Sequence, residues 1–307
     1  MNHALTTLFA AAALLGTIAA PAQPPPNPNE LVTASAILDT AAIEAGKPFH
    51  VGLLLKVKYG ATDAEKWHVY WSNPGESGMP TTVQWTSGTS GTIAAVQYPA
   101  PEMFKSPGNI VSYGYDREVL LISEAKYDKL PEGMGYDFLK AQVSFLVCSG
   151  DQCVPGKAST IVRVPFGKAA PANTEIFDKY KALLPKDGPT TAAKAVIAKS
   201  DEGFKVTVTV DAASTPMVGD GSHKLAFFPD LNEGFETSVP KTPAPDGKVG
   251  TAVAYTKSVT IEYTIKPEEK GNKTEPKASG VLVFQPLDKN GAAQPVQAYK
   301  IQASKGE

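Results

Sequence analysis

Short apolar runs separated by turn sequences fill the first half of the chain beyond residue 30. The run Phe49–Val57 has the length of a buried strand. Gly, Pro and Asn gather between such runs, as in Asn73-Pro74-Gly75, and this composition is typical of tight turns. Residues 31–167 are therefore predicted to form one β-rich unit. Its other predicted strands are Val83–Trp85, Glu118–Ile122, Ala141–Val147 and Ile161–Val164.

Strict alternation of apolar and polar positions marks the second half of the chain. Residues 204–210 and 259–265 place an apolar side chain at every second position, with Lys, Thr or Glu between them. This period of two predicts half-buried strands with one wet face. Asp201-Glu202-Gly203 is predicted to be a hairpin turn before the first of them. Residues 191–307 are therefore predicted to form a second β-sandwich. Two further strand candidates are Leu225–Phe228 and Val281–Phe284.

Residues 168–190 are predicted to be a linker that contains one short helix. Both ends of this segment are rich in Pro, Gly and Ala. Asn173 or Thr174 can cap a helix here, and Pro185 can end it. The fold predicted for the whole chain is all-β, with two tandem β-sandwich domains joined by this short helical linker. The apolar positions at helical spacing are Ile176, Phe177, Tyr180, Leu183 and Leu184.

The N-terminal segment is predicted to be removed from the mature protein. Ala4–Ala20 carries no charge, and Ala20-Pro21-Ala22 fits a signal-peptidase site. Residues 1–22 are thus predicted to be a signal peptide, and residues 23–30 a Pro-rich lead-in that is extended or mobile. No later stretch reaches about 18 consecutive apolar residues, so no transmembrane segment is expected in the mature chain. Export would bring the chain to an oxidising compartment, where disulfides persist.

Composition and charge narrow the possible functions. The 307 residues include 29 Lys+Arg and 31 Asp+Glu, and a net charge of −2 argues against nucleic-acid binding. A content of 26 Gly and 26 Pro favours a turn-rich β protein over long helices. Neither a G-x-S-x-G elbow nor an H-E-x-x-H zinc motif occurs, so a secreted hydrolase is poorly supported. We expect no cofactor.

Cys148 and Cys153 are the candidate functional residues, and they are the two cysteines of the chain. Gly150 and Asp151 between them favour a hairpin-like loop that brings the two sulfurs together. One interpretation is a structural disulfide, although a loop of six residues contributes only about 2 kcal/mol in the chain-entropy model. A second interpretation is a disulfide that opens and closes. The spacing alone leaves both interpretations open.

A metal site is the third interpretation of the cysteine pair. Two thiolates would need two further ligands. Three histidines lie beyond the predicted signal peptide, and none stands at a ligand-like spacing from the pair, so we expect no metal. These histidines are His50, His68 and His223.

Four sequence blocks, which follow one another between His68 and Pro155, place the cysteine pair in a wider motif. They are HVYWSNPGESGMPTTVQW at His68–Trp85, YPAPE at Tyr98–Glu102, YGYDREVLL at Tyr113–Leu121 and FLVCSGDQCVP at Phe145–Pro155. In these blocks the region 31–166 resembles the N-terminal domain of the thiol:disulfide interchange protein DsbD, in the form also found in the related ScsB proteins. The second β unit resembles the extra domain of the ScsB-like branch.

The resemblance implies an immunoglobulin-like sandwich whose cysteine pair passes electrons in the periplasm. It implies that Cys153 faces the partner and that Cys148 resolves the mixed disulfide. It also implies a loop that caps the pair, which corresponds to Glu102–Ile110 with Phe104 as the capping aromatic. The implied acceptor is a disulfide isomerase-like protein, and the implied donor is a separate membrane thiol relay. Whether the chain is an enzyme stays open, and the alternative is a non-catalytic exported binding or assembly module with a structural disulfide.

Overall fold

The predicted signal peptide with its cleavage site lies outside the residues that the structure describes, as do residues 188–190 of the predicted linker. The structure is a computed structural model. It describes residues 26–62, 65–150, 152–187, 193–210, 223–241, 259–269, 274–286, 290 and 294–302.

The first unit opens with one helical turn, α1 (Pro28–Leu31), and continues as ten strands. The Asn27 side chain accepts a hydrogen bond of 3.1 Å from the backbone N–H of Asn29, and Pro28 fits the first helical position. The last residues of the predicted lead-in are therefore not extended, because this cap folds them into a helical turn. The strands are β1 (Val32–Leu38), β2 (Pro48–Val57), β3 (His68–Gly75), β4 (Thr82–Ser87), β5 (Thr92–Ile93), β6 (Glu102–Ser106), β7 (Ile110–Asp116), β8 (Glu118–Lys126), β9 (Tyr136–Ser149) and β10 (Gln152–Pro165).

These strands form two facing sheets. One sheet has the order β1-β2-β8-β5, and the other has the order β10-β9-β3-β7-β6 with β4 also paired to β9. Strand β9 shows why the sequence folds this way: its side chains alternate between exposed and buried from Tyr136 to Val143. Of the buried members, Ala141 and Val143 share one apolar core with Leu53 and Leu121 of the other sheet. All five predicted strands of this unit are confirmed within β2, β4, β8, β9 and β10.

Helix α2 (Thr174–Lys181) packs on the first unit. Phe177 is 1% exposed and belongs to the core of that unit. Gly52 makes room for it, because a Cβ at this position would lie 3.1 Å from the Phe177 ring. The hydroxyl of Tyr180 donates a hydrogen bond of 2.7 Å to the carbonyl of Glu118 on β8. The predicted helix is therefore present, and it covers one face of the first sandwich.

The second unit is a smaller sandwich of two four-stranded sheets, with the orders β11-β18-β17-β14 and β12-β13-β16-β15. The predicted alternation is observed, since Val206, Val208, Ile261 and Ile265 are fully buried. A two-residue turn joins β12 to β13, as predicted. The strands are β11 (Lys186–Asp187), β12 (Ala193–Ser200), β13 (Gly203–Val210), β14 (His223–Pro229), β15 (Phe235–Thr237), β16 (Val259–Pro267), β17 (Ser279–Pro286) and β18 (Gln297–Gln302).

The two units are in direct contact. Phe228, at the end of β14, is 2% exposed and belongs to the apolar cluster of the first unit. The side-chain amide of Asn73 on β3 donates a hydrogen bond of 2.8 Å to the carbonyl of Pro229. The chain thus forms an all-β, immunoglobulin-like pair of sandwiches whose apolar contacts cross the boundary.

Candidate functional site

Cys148 and Cys153 are joined by a disulfide at the end of the longest ribbon of the first unit. The two residues face each other across β9 and β10, with Cα atoms 4.2 Å apart and an S–S bond of 2.06 Å. Between the strands, Gly150 has a φ of 54°, a left-handed conformation that glycine adopts without strain. The ribbon register and this turn together place the two sulfurs within bonding distance.

The two cysteines differ in their access to solvent. Cys148 is 2% exposed, whereas Cys153 is an exposed residue. Thiol–disulfide exchange requires a thiolate to approach a sulfur directly, so access decides which sulfur is attacked. An approaching thiolate meets Cys153 from solvent, while the protein covers Cys148.

Tyr70 on β3 covers Cys148. Its hydroxyl donates a hydrogen bond of 3.0 Å to the Cys148 sulfur, and its ring is 3% exposed. Burial raises the pKa of Tyr70, so the phenol stays protonated and able to donate. Gly78 passes over this ring with a φ of 115°, and a Cβ at that position would overlap the ring. A glycine is required there, since any larger residue would displace Tyr70.

His68 is the strand partner of Cys148, because β3 and β9 pair with these two residues opposite each other. It is 6% exposed, and its Nε2 has no hydrogen-bond partner among the described residues. Burial lowers the pKa of His68 to about 4, so the ring is neutral at pH 7. The imidazole therefore supplies an aromatic surface beside the cysteine and no positive charge.

Phe104 contacts the ring of His68, the strand partner of Cys148. The two rings are stacked, with centroids 4.4 Å apart and planes within 7°. Phe104 lies on β6, which forms a hairpin with β7 through the 3₁₀ turn Pro107–Asn109. The predicted cap region Glu102–Ile110 is thus a hairpin that brings a half-buried aromatic ring against the strand partner of Cys148.

The histidines considered as metal ligands lie in different surroundings. His50 is on the other sheet, where its Nδ1 is 2.6 Å from a carboxylate oxygen of Asp39. His68 lies beside the disulfide, and the side chain of His223 is outside the described residues, as is Asp151. In the described part of the chain, no three His, Cys, Asp or Glu side chains converge as metal ligands.

Comparison with known protein families finds a match to residues 49–165 of the chain. These residues match the family model for the thiol:disulfide interchange protein DsbD, N-terminal, and the matched range includes both cysteines. This part of the chain is a DsbD/ScsB-like N-terminal domain. The sequence blocks had indicated the same family, so that prediction is confirmed.

Among solved structures, the chain is similar to the N-terminal periplasmic domain of ScsB from Proteus mirabilis. The TM-score is 0.56 with 18% identity, and the match covers 90% of this chain and 92% of that one. A protein of unknown function from Porphyromonas gingivalis W83 also matches, over 89% of this chain and 98% of that one, with 11% identity and a TM-score of 0.22. The ScsB likeness shows that the two-unit fold recurs. No curated protein sequence matches the chain.

The DsbD-like domain extends beyond the matched residues in the structure. Strand β1 pairs with β2, and α2 packs on β8, so both belong to its sandwich. Sequence reasoning did not single out Tyr70 or His68 as neighbours of Cys148. The available signal was their spacing of two residues, which puts both on one face of a strand. None of the helices in the described ranges is long and apolar enough to cross a membrane.

Proposed function

We propose that the chain is a thiol–disulfide exchange module that passes reducing equivalents through Cys148 and Cys153 to a partner protein. The observation that carries this proposal is the pairing of an exposed Cys153 with a buried, hydrogen-bonded Cys148 inside a DsbD-like domain. The disulfide closes six residues, and such a loop stabilises a fold by only about 2 kcal/mol. Its position is therefore better explained by chemistry than by stability.

In the reduced protein, the Cys153 thiolate attacks one sulfur of a partner disulfide. A mixed disulfide forms, and the other partner sulfur leaves as a thiolate that takes up a proton. The Cys148 thiolate then attacks the Cys153 sulfur and releases the second partner thiolate. Two electrons have moved, so the partner is reduced and the Cys148–Cys153 bond is restored.

Tyr70 supports the resolving step in this scheme. A thiolate is a stronger hydrogen-bond acceptor than a disulfide sulfur, because the bond becomes charge-assisted. The Tyr70 hydroxyl already lies 3.0 Å from Cys148 in the oxidised protein. It is thus in position to stabilise the Cys148 thiolate without rearrangement. The hairpin with Phe104 has the capping role, since its ring packs beside the site and moves only with that hairpin.

The proposed site of action is the periplasm. The ScsB domain that the chain resembles is described as periplasmic, and residues 1–22 have the features of a signal peptide. The proposed donor is a membrane thiol relay, and the proposed acceptor is a disulfide isomerase-like protein. Mass spectrometry of the exported protein should find an N-terminus near Gln23. Retention of Met1 in the exported form would contradict this assignment.

Two measurements test the exchange function. Equilibration with glutathione buffers should give a reduction potential well above about −300 mV, the level below which structural disulfides resist reduction. Cys148→Ser should trap a mixed disulfide with a partner on a non-reducing gel, and Cys153→Ser should trap little. Both variants should lose only about 2 kcal/mol of stability.

The alternative function, a non-catalytic binding or assembly module, predicts the opposite results. The potential would then lie below about −300 mV, neither variant would trap a partner, and both would melt far below the wild type.

A further inference from the structure

Phe228 of the second unit contacts two strands of the DsbD-like domain at once. Its ring meets Trp71 on β3 edge-to-face at 6.2 Å and Tyr113 on β7 edge-to-face at 5.1 Å. Trp71 is 3% exposed and Tyr113 is 2% exposed, so these contacts are buried. Edge-to-face pairs of this kind stabilise beyond the area that they bury. The second unit therefore contacts β3 and β7 through one buried ring.

The contact falls on an irregular part of β3. The pairing of β3 with β7 shifts between Tyr70 and Gly75, so the intervening residues form a bulge. Within it, the side-chain oxygen Oδ1 of Asn73 accepts a hydrogen bond of 2.9 Å from the backbone N–H of Gly75, while the side-chain Nδ2 donates to the carbonyl of Pro229. Asn73 is 4% exposed. One side chain thus shapes the bulge and ties it to the second unit.

Strands β3 and β7, which Phe228 contacts, also hold residues that lie close to the disulfide or to the Phe104 hairpin. On β3, Tyr70 precedes the bulge directly and donates to the Cys148 sulfur from the opposite face to Trp71. On β7, Tyr113 pairs with Met103, the neighbour of Phe104. Bulges next to functional sites re-aim the side chains beside them. Tyr70 and the partner strand of the Phe104 hairpin therefore both belong to strands that Phe228 contacts.

We propose that the second unit positions the disulfide site, with Phe228 and the Asn73–Pro229 hydrogen bond as its positioning elements. In this arrangement the second unit keeps Tyr70 on the Cys148 sulfur and the Phe104 hairpin against His68. The effect on disulfide reduction rests on the proposed exchange function. The effect on the positions of Tyr70 and the Phe104 hairpin rests on the contacts of Phe228 and Asn73 alone.

Four variants of the full-length chain test this positioning. Phe228→Ala removes the contact with both strands, and Phe228→Leu restores apolar volume. Asn73→Asp keeps the acceptor for Gly75 but replaces the amide donor that faces Pro229. Phe227→Leu is the matched control, because this neighbouring residue points into the core of the second unit and packs near Tyr263.

Two readouts are measured for each folded variant. The first is the rate at which dithiothreitol reduces the disulfide, which should rise about threefold to tenfold in both Phe228→Ala and Asn73→Asp. Loss of one or two aromatic contacts implies this range for Phe228→Ala, and loss of one hydrogen bond implies it for Asn73→Asp. The second is amide hydrogen exchange in residues 68–75 and 102–116, which should become faster in the same variants. Phe228→Leu should return both readouts toward wild type, and Phe227→Leu should lower the melting temperature only.

Wild-type values of both readouts in Phe228→Ala and Asn73→Asp would overturn the proposal. If Phe228→Ala does not fold, Asn73→Asp carries the test, because it keeps the Phe228 ring and changes only the polar contact with Pro229. If the wild-type disulfide resists glutathione, the exchange function fails while hydrogen exchange still reports on the positioning. The two failures are therefore distinguishable.

Discussion

The hydroxyl of Tyr70 donates a hydrogen bond of 3.0 Å to the sulfur of Cys148, a residue 78 positions further along the chain. Both residues are buried, so this bond is shielded from water in the oxidised protein. The contact connects the aromatic block at His68–Trp85 with the cysteine block at Phe145–Pro155, two of the four blocks that carry the family resemblance. The Cys148 sulfur therefore differs from the Cys153 sulfur in two respects: it is buried, and it accepts a hydrogen bond from Tyr70.

Replacement of Tyr70 by Phe should raise the pKa of the Cys148 thiol in the reduced protein. The variant removes the donor to the thiolate, and one unit of pKa corresponds to about 1.4 kcal/mol, which lies within the range for a hydrogen bond to a charged group. The expected rise is about one unit, measured by thiolate absorbance against pH. Tyr98→Phe is the control, because its hydroxyl donates to the carbonyl of Thr81 away from the disulfide. An unchanged thiol pKa in Tyr70→Phe would contradict this prediction.

Replacement of Phe104 by Ala should open the site on the side of His68. The stacked ring keeps the imidazole away from water, and burial is what lowers the pKa of His68 to about 4. We expect this pKa to move up toward 6.5, measured by NMR titration, together with faster reduction of the disulfide by dithiothreitol. Lys105→Ala on the same hairpin is the control, since Lys105 is exposed. A His68 pKa that stays near 4 would show that other residues cover the ring.

Stability should fall with acid in two successive windows. The folded-state pKa of His68 is depressed from 6.5 to about 4, so the unfolded chain binds a proton first and stability declines as the pH falls from 6.5 to 4. For Asp39, burial raises the pKa, but hydrogen bonds from His50 and Lys181 outweigh it and lower the pKa from 3.8 to about 2. The second decline therefore lies between pH 3.8 and 2.

Denaturant unfolding across this pH range checks both windows. His68→Phe should flatten the first window and leave the second, and Asp39→Asn should do the reverse. Loss of both windows in either single variant would mean that the two groups do not titrate independently.

The first unit should need α2 for full stability. The sequence predicts a boundary at residue 167 and an independently folding fragment 23–168. Phe177, however, is 1% exposed within the core of that unit, and removal of a buried Phe side chain typically costs about 3–5 kcal/mol. Fragment 23–187 should therefore be more stable than fragment 23–168 by at least that amount, as measured by urea unfolding. Equal stabilities would show that α2 contributes nothing to the core.

The sequence predicted those parts of the fold that local patterns determine. Alternation and apolar runs identified β9 and β13, turn residues identified the loop between the cysteines, and helical spacing identified α2. Apart from the hairpins at the cysteine loop and at residues 201–203, it did not predict which strands pair, because alternation places a residue on a face without naming the strand that lies opposite. For this reason His68 and Tyr70 were not assigned to Cys148. The burial of Phe228 against Trp71 was missed for the same reason, since Leu225–Phe228 reads as an ordinary strand on its own.

The residue that follows Asn73 affects how long the link between the two units lasts. Asparagine slowly turns into aspartate when the next backbone nitrogen attacks the side-chain carbonyl and closes a five-membered ring. Here the next residue is Pro74, whose nitrogen carries no hydrogen and cannot close that ring. The amide that donates to Pro229 is thereby protected from the commonest chemical ageing of asparagine. The joint between the units is thus protected from deamidation at Asn73 as well as buried.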